Sequence, residues 1–144
     1  MKKISILVAS AFIFGLTFTS CSSDDDSSGN IGSVIGKWNY ASEKTSVNGT
    51  VVYDEVYEHQ TGCEKDYYEI LENGTAIDGE YFGASCTLTT FSDTYTRSGN
   101  TLTVDEGGET VVYQIVVANS NKMVLRTSES FEGITALTDF TYTK

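Results

Sequence analysis

From residue 31 to the C-terminus the chain contains no apolar period of helical spacing, and turn-forming pairs interrupt it at short intervals. Strict alternation of apolar and polar residues between turns is the mark of half-buried strands. Gly36 to Ser42 sets Trp38 and Tyr40 on one face against Lys37, Asn39 and Ala41. Asn48-Gly49 then supplies a tight turn, and Val51 to Glu58 puts Val51, Tyr53 and Tyr57 on one side. Asp66 to Glu72 presents Tyr68 and Ile70, and Asn73-Gly74 gives a second hairpin signal. Further strands are expected over Thr75–Phe82, Cys86–Thr96, Thr101–Val104, Val111–Ala118, Met123–Ser128 and Ile134–Tyr142. Eight or nine strands in sequential hairpins predict an all-β, antiparallel, up-and-down barrel, because closure removes the unpaired edges that invite aggregation. A β-sandwich is the rival fold, and the short loops favour the barrel over Greek-key crossings.

Composition supports this reading. The chain has no proline and 13 glycines, with Thr, Val and Tyr abundant among the rest. These are strand formers and turn formers. Residues 31–144 suffice for one domain with a core. The interior of an eight-stranded barrel is nearly filled by side chains or holds one small ligand.

The first thirty residues follow other rules. Met1-Lys2-Lys3 is basic, and Ile4 to Phe18 is almost wholly apolar, a length suited to a signal-peptide core and short for a membrane span. The run ends Phe18-Thr19-Ser20-Cys21, which resembles the bacterial lipobox, with Phe18 where Leu is usual. The expectation is a signal peptide over 1–20 and lipid attachment at Cys21, through diacylglycerol and further acyl chains such as palmitate. Each buried CH₂ then adds about 0.8 kcal/mol of membrane affinity. Ser22 to Asn30 has no apolar residue and reads as an acidic tether over 21–30. Its Ser23-Asp24-Asp25-Asp26 run resembles the export signal of some Gram-negative lipoproteins, which implies an outer-membrane protein facing outward.

Charge excludes some partners. Loss of Lys2 and Lys3 with the signal peptide leaves 7 basic against 20 acidic residues, a net charge of −13. Such a surface repels nucleic acid and anionic head groups. No D-x-[DN]-x-[DN]-G calcium loop occurs, and the spread carboxylates read as solvated faces. No metal or cofactor site is expected, and the chain is expected to be a monomer. His59 is the single histidine, and no base–nucleophile arrangement marks it. Asp54-Glu55 cannot converge, since neighbours on a strand point to opposite faces. The chain does not read as an enzyme. Cys63 and Cys86 leave two readings, a disulfide or a metal pair. A bridge would close a loop of about 23 residues, contributing roughly 3 kcal/mol in the chain-entropy treatment.

Three features together carry a family resemblance: Gly36-Lys37-Trp38, the stretch from Cys63 through Asp66 to Ile70 followed by Asn73-Gly74-Thr75, and Cys86. They resemble the lipocalin-like domain of Gram-negative lipoproteins over roughly residues 33–144. The resemblance implies a lipocalin-like barrel, a Cys63–Cys86 disulfide, and a barrel end built from Gly36 and Trp38 with Arg126 over the indole. It also implies binding of a small hydrophobic or amphipathic ligand. Tyr40, Tyr53, Tyr57, Tyr68 and Tyr95 are the candidate lining residues, with ordinary cross-strand packing as the competing account. The alternative function is a surface module for glycan or protein, with a filled barrel.

Overall fold

A computed structural model describes residues 31–144; the expected signal peptide over 1–20, the expected lipid site Cys21 and the expected acidic tether over 21–30 lie outside the described residues. Nine strands follow one another: β1 (Gly36–Val47), β2 (Thr50–Val56), β3 (Tyr67–Ile70), β4 (Thr75–Phe82), β5 (Thr87–Ser98), β6 (Thr101–Glu106), β7 (Glu109–Ala118), β8 (Lys122–Phe131) and β9 (Ile134–Thr143). From β3 to β9 each strand pairs antiparallel with the next, and β1 pairs with both β3 and β9. Eight strands therefore form a closed up-and-down barrel, and β2 stands outside the ring.

The long first strand makes this possible. One edge of β1 runs along β9 from Asn39 to Val47. The other edge is divided: Gly36–Asn39 pairs with β3, and Ser42–Val47 pairs with β2. A register shift between Tyr40 and Ser42 marks a bulge where the strand changes partners. Bulges bend a strand and increase its twist. The β1–β2 hairpin turns at Asn48-Gly49 with φ values of 47° and 80°. Two positive φ angles define the turn whose twist matches a hairpin, and Asn-Gly is its preferred sequence. All seven residues of β2 are exposed, so the side shared by Val51 and Tyr53 is not a core face.

The core sits at one end of the barrel. Trp38, Ile70, Leu102, Val104, Ile115, Met123 and Leu125 are buried there, with Val34 beneath them. The segment before β1 closes this end: Gly32 N–H donates to the Ala118 carbonyl at 2.8 Å, and the Trp38 indole N–H donates to the Val34 carbonyl at 2.7 Å. Gly36 has φ +123°, which side chains rarely adopt, so the Gly-x-Trp pair has a local reason. Glycine lets the chain turn from plug to strand, and tryptophan fills the end.

The cation over Trp38 is not Arg126. Lys144 Nζ lies 4.3 Å from the indole ring centre. Arg126 points outward and makes two hydrogen bonds to Asp139, at 2.6 and 2.8 Å. Strand parity accounts for the correction. Met123 and Leu125 face inward, so Arg126 faces out, while the last residue of β9's extension reaches the plugged end.

A disulfide joins Cys63 to Cys86, with Cα atoms 5.3 Å apart. It ties the long β2–β3 connection to the β4–β5 turn. His59 fixes the same connection. Its Nδ1 accepts from the Asp66 N–H at 3.0 Å, and its Nε2 lies 3.0 Å from the Tyr40 carbonyl, to which it donates. Both ring nitrogens are thus occupied by backbone, and the histidine is partly buried rather than a free surface group.

Replacing Trp38 by Ala in a lipid-free chain (Cys21→Ala) should cost about 3–5 kcal/mol in urea unfolding followed by circular dichroism. Replacing Arg126 by Ala should cost less, about 1 kcal/mol, since its ion pair with Asp139 is partly open to solvent. Equal losses would restore Arg126 as the indole's partner.

Candidate functional site

Above the Trp38 end the barrel interior is hollow. The cup has a volume of about 200 Å³ and is lined by Tyr40, Tyr68, Asp78, Phe91, Asp93, Glu106, Tyr113, Leu125, Phe140 and Tyr142. Every strand of the closed ring contributes. Registry explains the convergence: Tyr40 pairs with Tyr142, Tyr68 with Asp78, Asp78 with Phe91, and Leu125 with Phe140. Paired residues share a face, so one inward residue brings in the next around the ring.

The wall is aromatic. Tyr40 and Tyr142 have ring centres 5.1 Å apart, Tyr68 and Tyr142 5.9 Å, and Tyr113 meets Phe140 edge-on at 6.2 Å. Tyr57, which is not among the lining residues, stacks on Tyr40 at 4.9 Å. Burial above all, with nearby acidic groups, pushes the hydroxyls of Tyr40, Tyr68, Tyr113 and Tyr142 above their ordinary range. They remain protonated donors. Tyr113 uses its proton on Glu106, at 2.8 Å.

Two polar atoms in the cup have no protein partner among the described residues. The Tyr68 hydroxyl and one Asp78 carboxyl oxygen are buried without a hydrogen bond, although Tyr68 is only 8 % exposed. Buried polar groups are ordinarily satisfied, so a pair of orphans in one hollow calls for an explanation. Burial pushes the Asp78 carboxyl up to about 6; the hydrogen bond from Tyr40 opposes the rise, and Glu80, Asp66 and Asp93 add to it.

The tyrosines expected to line a ligand site divide. Tyr40 and Tyr68 are in the cup. Tyr57 stacks on Tyr40, Tyr95 spends its hydroxyl on the Leu71 carbonyl at 2.6 Å, and Tyr53 is exposed on β2 with its hydroxyl on Glu55. Sequence reading missed Asp78, Asp93, Glu106, Tyr113 and Tyr142, having taken the carboxylates as solvated faces. The signal was present in the alternation. Asp78 has the parity of buried Ala76, and Glu106 that of buried Leu102 and Val104.

Other hollows are less enclosed. One of about 480 Å³ lies on the outer face beside Arg126, Ser128 and Leu137, and one of about 320 Å³ adjoins the His59 connection. The first is floored by a compensated ion pair and the second by a histidine whose ring nitrogens are occupied. Among the described residues, no three acidic, histidine or cysteine groups lie close enough to hold a metal ion.

Over residues 34–125 the chain matches the family described as the Lipocalin-like domain, and it belongs to that family. Its fold is similar to that of an uncharacterized protein from Bacteroides eggerthii DSM 20697, with a TM-score of 0.51 and 13 % identity over 76 % of this chain and 98 % of that one. It is also similar to a lipocalin-like protein from Bacteroides uniformis ATCC 8492, with a TM-score of 0.50 and 15 % identity over 74 % and 97 %. At these identities the likeness is one of fold. No curated protein matches the sequence.

Asp78 should weaken the fold it sits in. Its folded-state pKa lies above the ordinary 3.8, so between about pH 4 and 6 the folded state holds the extra proton. Stability therefore falls as pH rises through that window and levels off above it. Asp78→Asn should remove this fall and stabilise the protein at pH 7.5 by about 1–2 kcal/mol, after allowance for partial solvent access. Thermal unfolding at pH 4 and 7.5 checks this; a destabilised variant at pH 7.5 would contradict it.

Proposed function

We propose that this protein is a monomeric, lipid-anchored binding protein of the outer membrane, facing outward, which holds a small amphipathic ligand in the cup. The observation that carries the reading is the hollow itself, with its unpartnered Tyr68 hydroxyl and Asp78 oxygen. At about 200 Å³ the cup is below the roughly 300–1,000 Å³ of drug-sized pockets. It suits a small molecule, or the polar head of a longer one whose apolar body lies toward exposed Phe91. The membrane assignment is supported by the sequence features around Cys21 and by the −13 charge, which leaves no basic patch to hold anionic lipid.

Two measurements test this. Cys21→Ala should move the protein from the membrane to the soluble fraction, and retention in the membrane would contradict the anchor. Native mass spectrometry of the protein purified from its own host should show a co-purifying mass, lost when the cup is filled by Tyr68→Trp. A bare protein in every preparation would count for the filled-barrel alternative.

A further inference from the structure

The charge of the cup is uncompensated. Asp78, Asp93 and Glu106 line it, from three different strands. By strand pairing Glu109 shares the face of Glu106, and Glu43 shares the face of Phe140. Glu129 has the inward parity of Leu125 nearer the rim. Like charges directly opposite one another, as at Glu106 and Glu109, destabilise a sheet. Among the described residues, no lysine or arginine lines the cup. Lys44 is paired in register with Asp54 and Asp139 on the outer side, and Arg126 binds Asp139 there. Lys37 covers the Tyr67 ring, Lys144 covers Trp38 at the plugged end, and Arg97 reaches the Gly32 carbonyl at that end. His59 is committed to backbone.

Resting on the reading that the cup binds a small molecule, we propose its ligand class: an organic ammonium, that is, a small amine whose cation lies among Asp78, Asp93 and Glu106 and whose body rests on Tyr40, Tyr142 and Phe91. Three physical points support this. A cation offsets the charge of the partly desolvated Asp78 beside Asp93 and Glu106, and charges interact more strongly in such a setting than in water. Tyrosine faces attract ammonium groups through the ring quadrupole. An ammonium also donates to the two atoms left without partners, since the Asp78 oxygen accepts and the Tyr68 hydroxyl oxygen can accept. Among the described residues, no three of these carboxylates lie close enough together to hold a metal ion. The acidic rim draws such cations in and turns anions away.

Three probes of one shape and different charge separate the possibilities: 2-phenylethylamine, 2-phenylethanol and phenylacetate, with glucose as a neutral polyol. Binding to the lipid-free chain is read by calorimetry and by shifts of the cup tyrosines in NMR spectra at pH 7.5. The amine should bind at least tenfold more tightly than the alcohol, and phenylacetate should not bind. In Asp78→Asn the ratio of amine to alcohol affinity should fall by at least fivefold. Equal affinity for amine and alcohol, a tighter fit for glucose, or a preference untouched by Asp78→Asn would overturn the ammonium assignment and leave cup binding intact. Absence of binding by every probe would overturn the assignment together with the reading beneath it.

Discussion

Everything in this barrel depends on β1 being hydrogen-bonded along both edges. Its outer half carries β9 on one side and the β2 hairpin on the other, while its inner half carries β3. Without the β1–β9 ladder the sheet would have two open edges, and edges are where sheets aggregate. The same strand places Trp38 two residues after the glycine that admits the turn from the plug. Closure and end-sealing are thus functions of one segment, and the depth of the cup is set by where the indole stops.

The interior divides at that level. Below it the inward residues are Ile, Leu, Val and Met, fully removed from water. Above it they are tyrosines and carboxylates, and near the rim threonines such as Thr45 and Thr138, which hydrogen-bond to each other at 3.0 Å. A barrel optimised for stability alone would continue the apolar filling upward. Unpaired acids in a hollow oppose folding, and such local costs cluster where a protein binds something. The plugged end, the disulfide and the His59 connection supply the compensating rigidity.

This division also decides how much was legible in the sequence. The plugged half alternates cleanly, so its strands and the Asn73-Gly74 turn could be read directly, and the family resemblance marked Gly36 and Trp38. The open half alternates poorly, because its inward positions are polar. Strand ends there were read short: β1 runs on to Val47 and β8 to Phe131. The inward acids were hidden for the same reason, since a carboxylate on a strand ordinarily faces water. Parity with the neighbouring buried residues would have exposed Asp78 and Glu106. The partner of Trp38 could not be read at all, because Lys144 reaches it only through the closure of the ring.

The central claim is that Asp78 is held, partly desolvated, inside a binding cup rather than on a wetted face. Carbon-detected NMR titration of its side-chain carboxyl addresses this in one residue of the folded protein. The account predicts a midpoint near 6. A midpoint near the 3.8 of a free aspartate would contradict it, and would return the acids of this barrel to solvent.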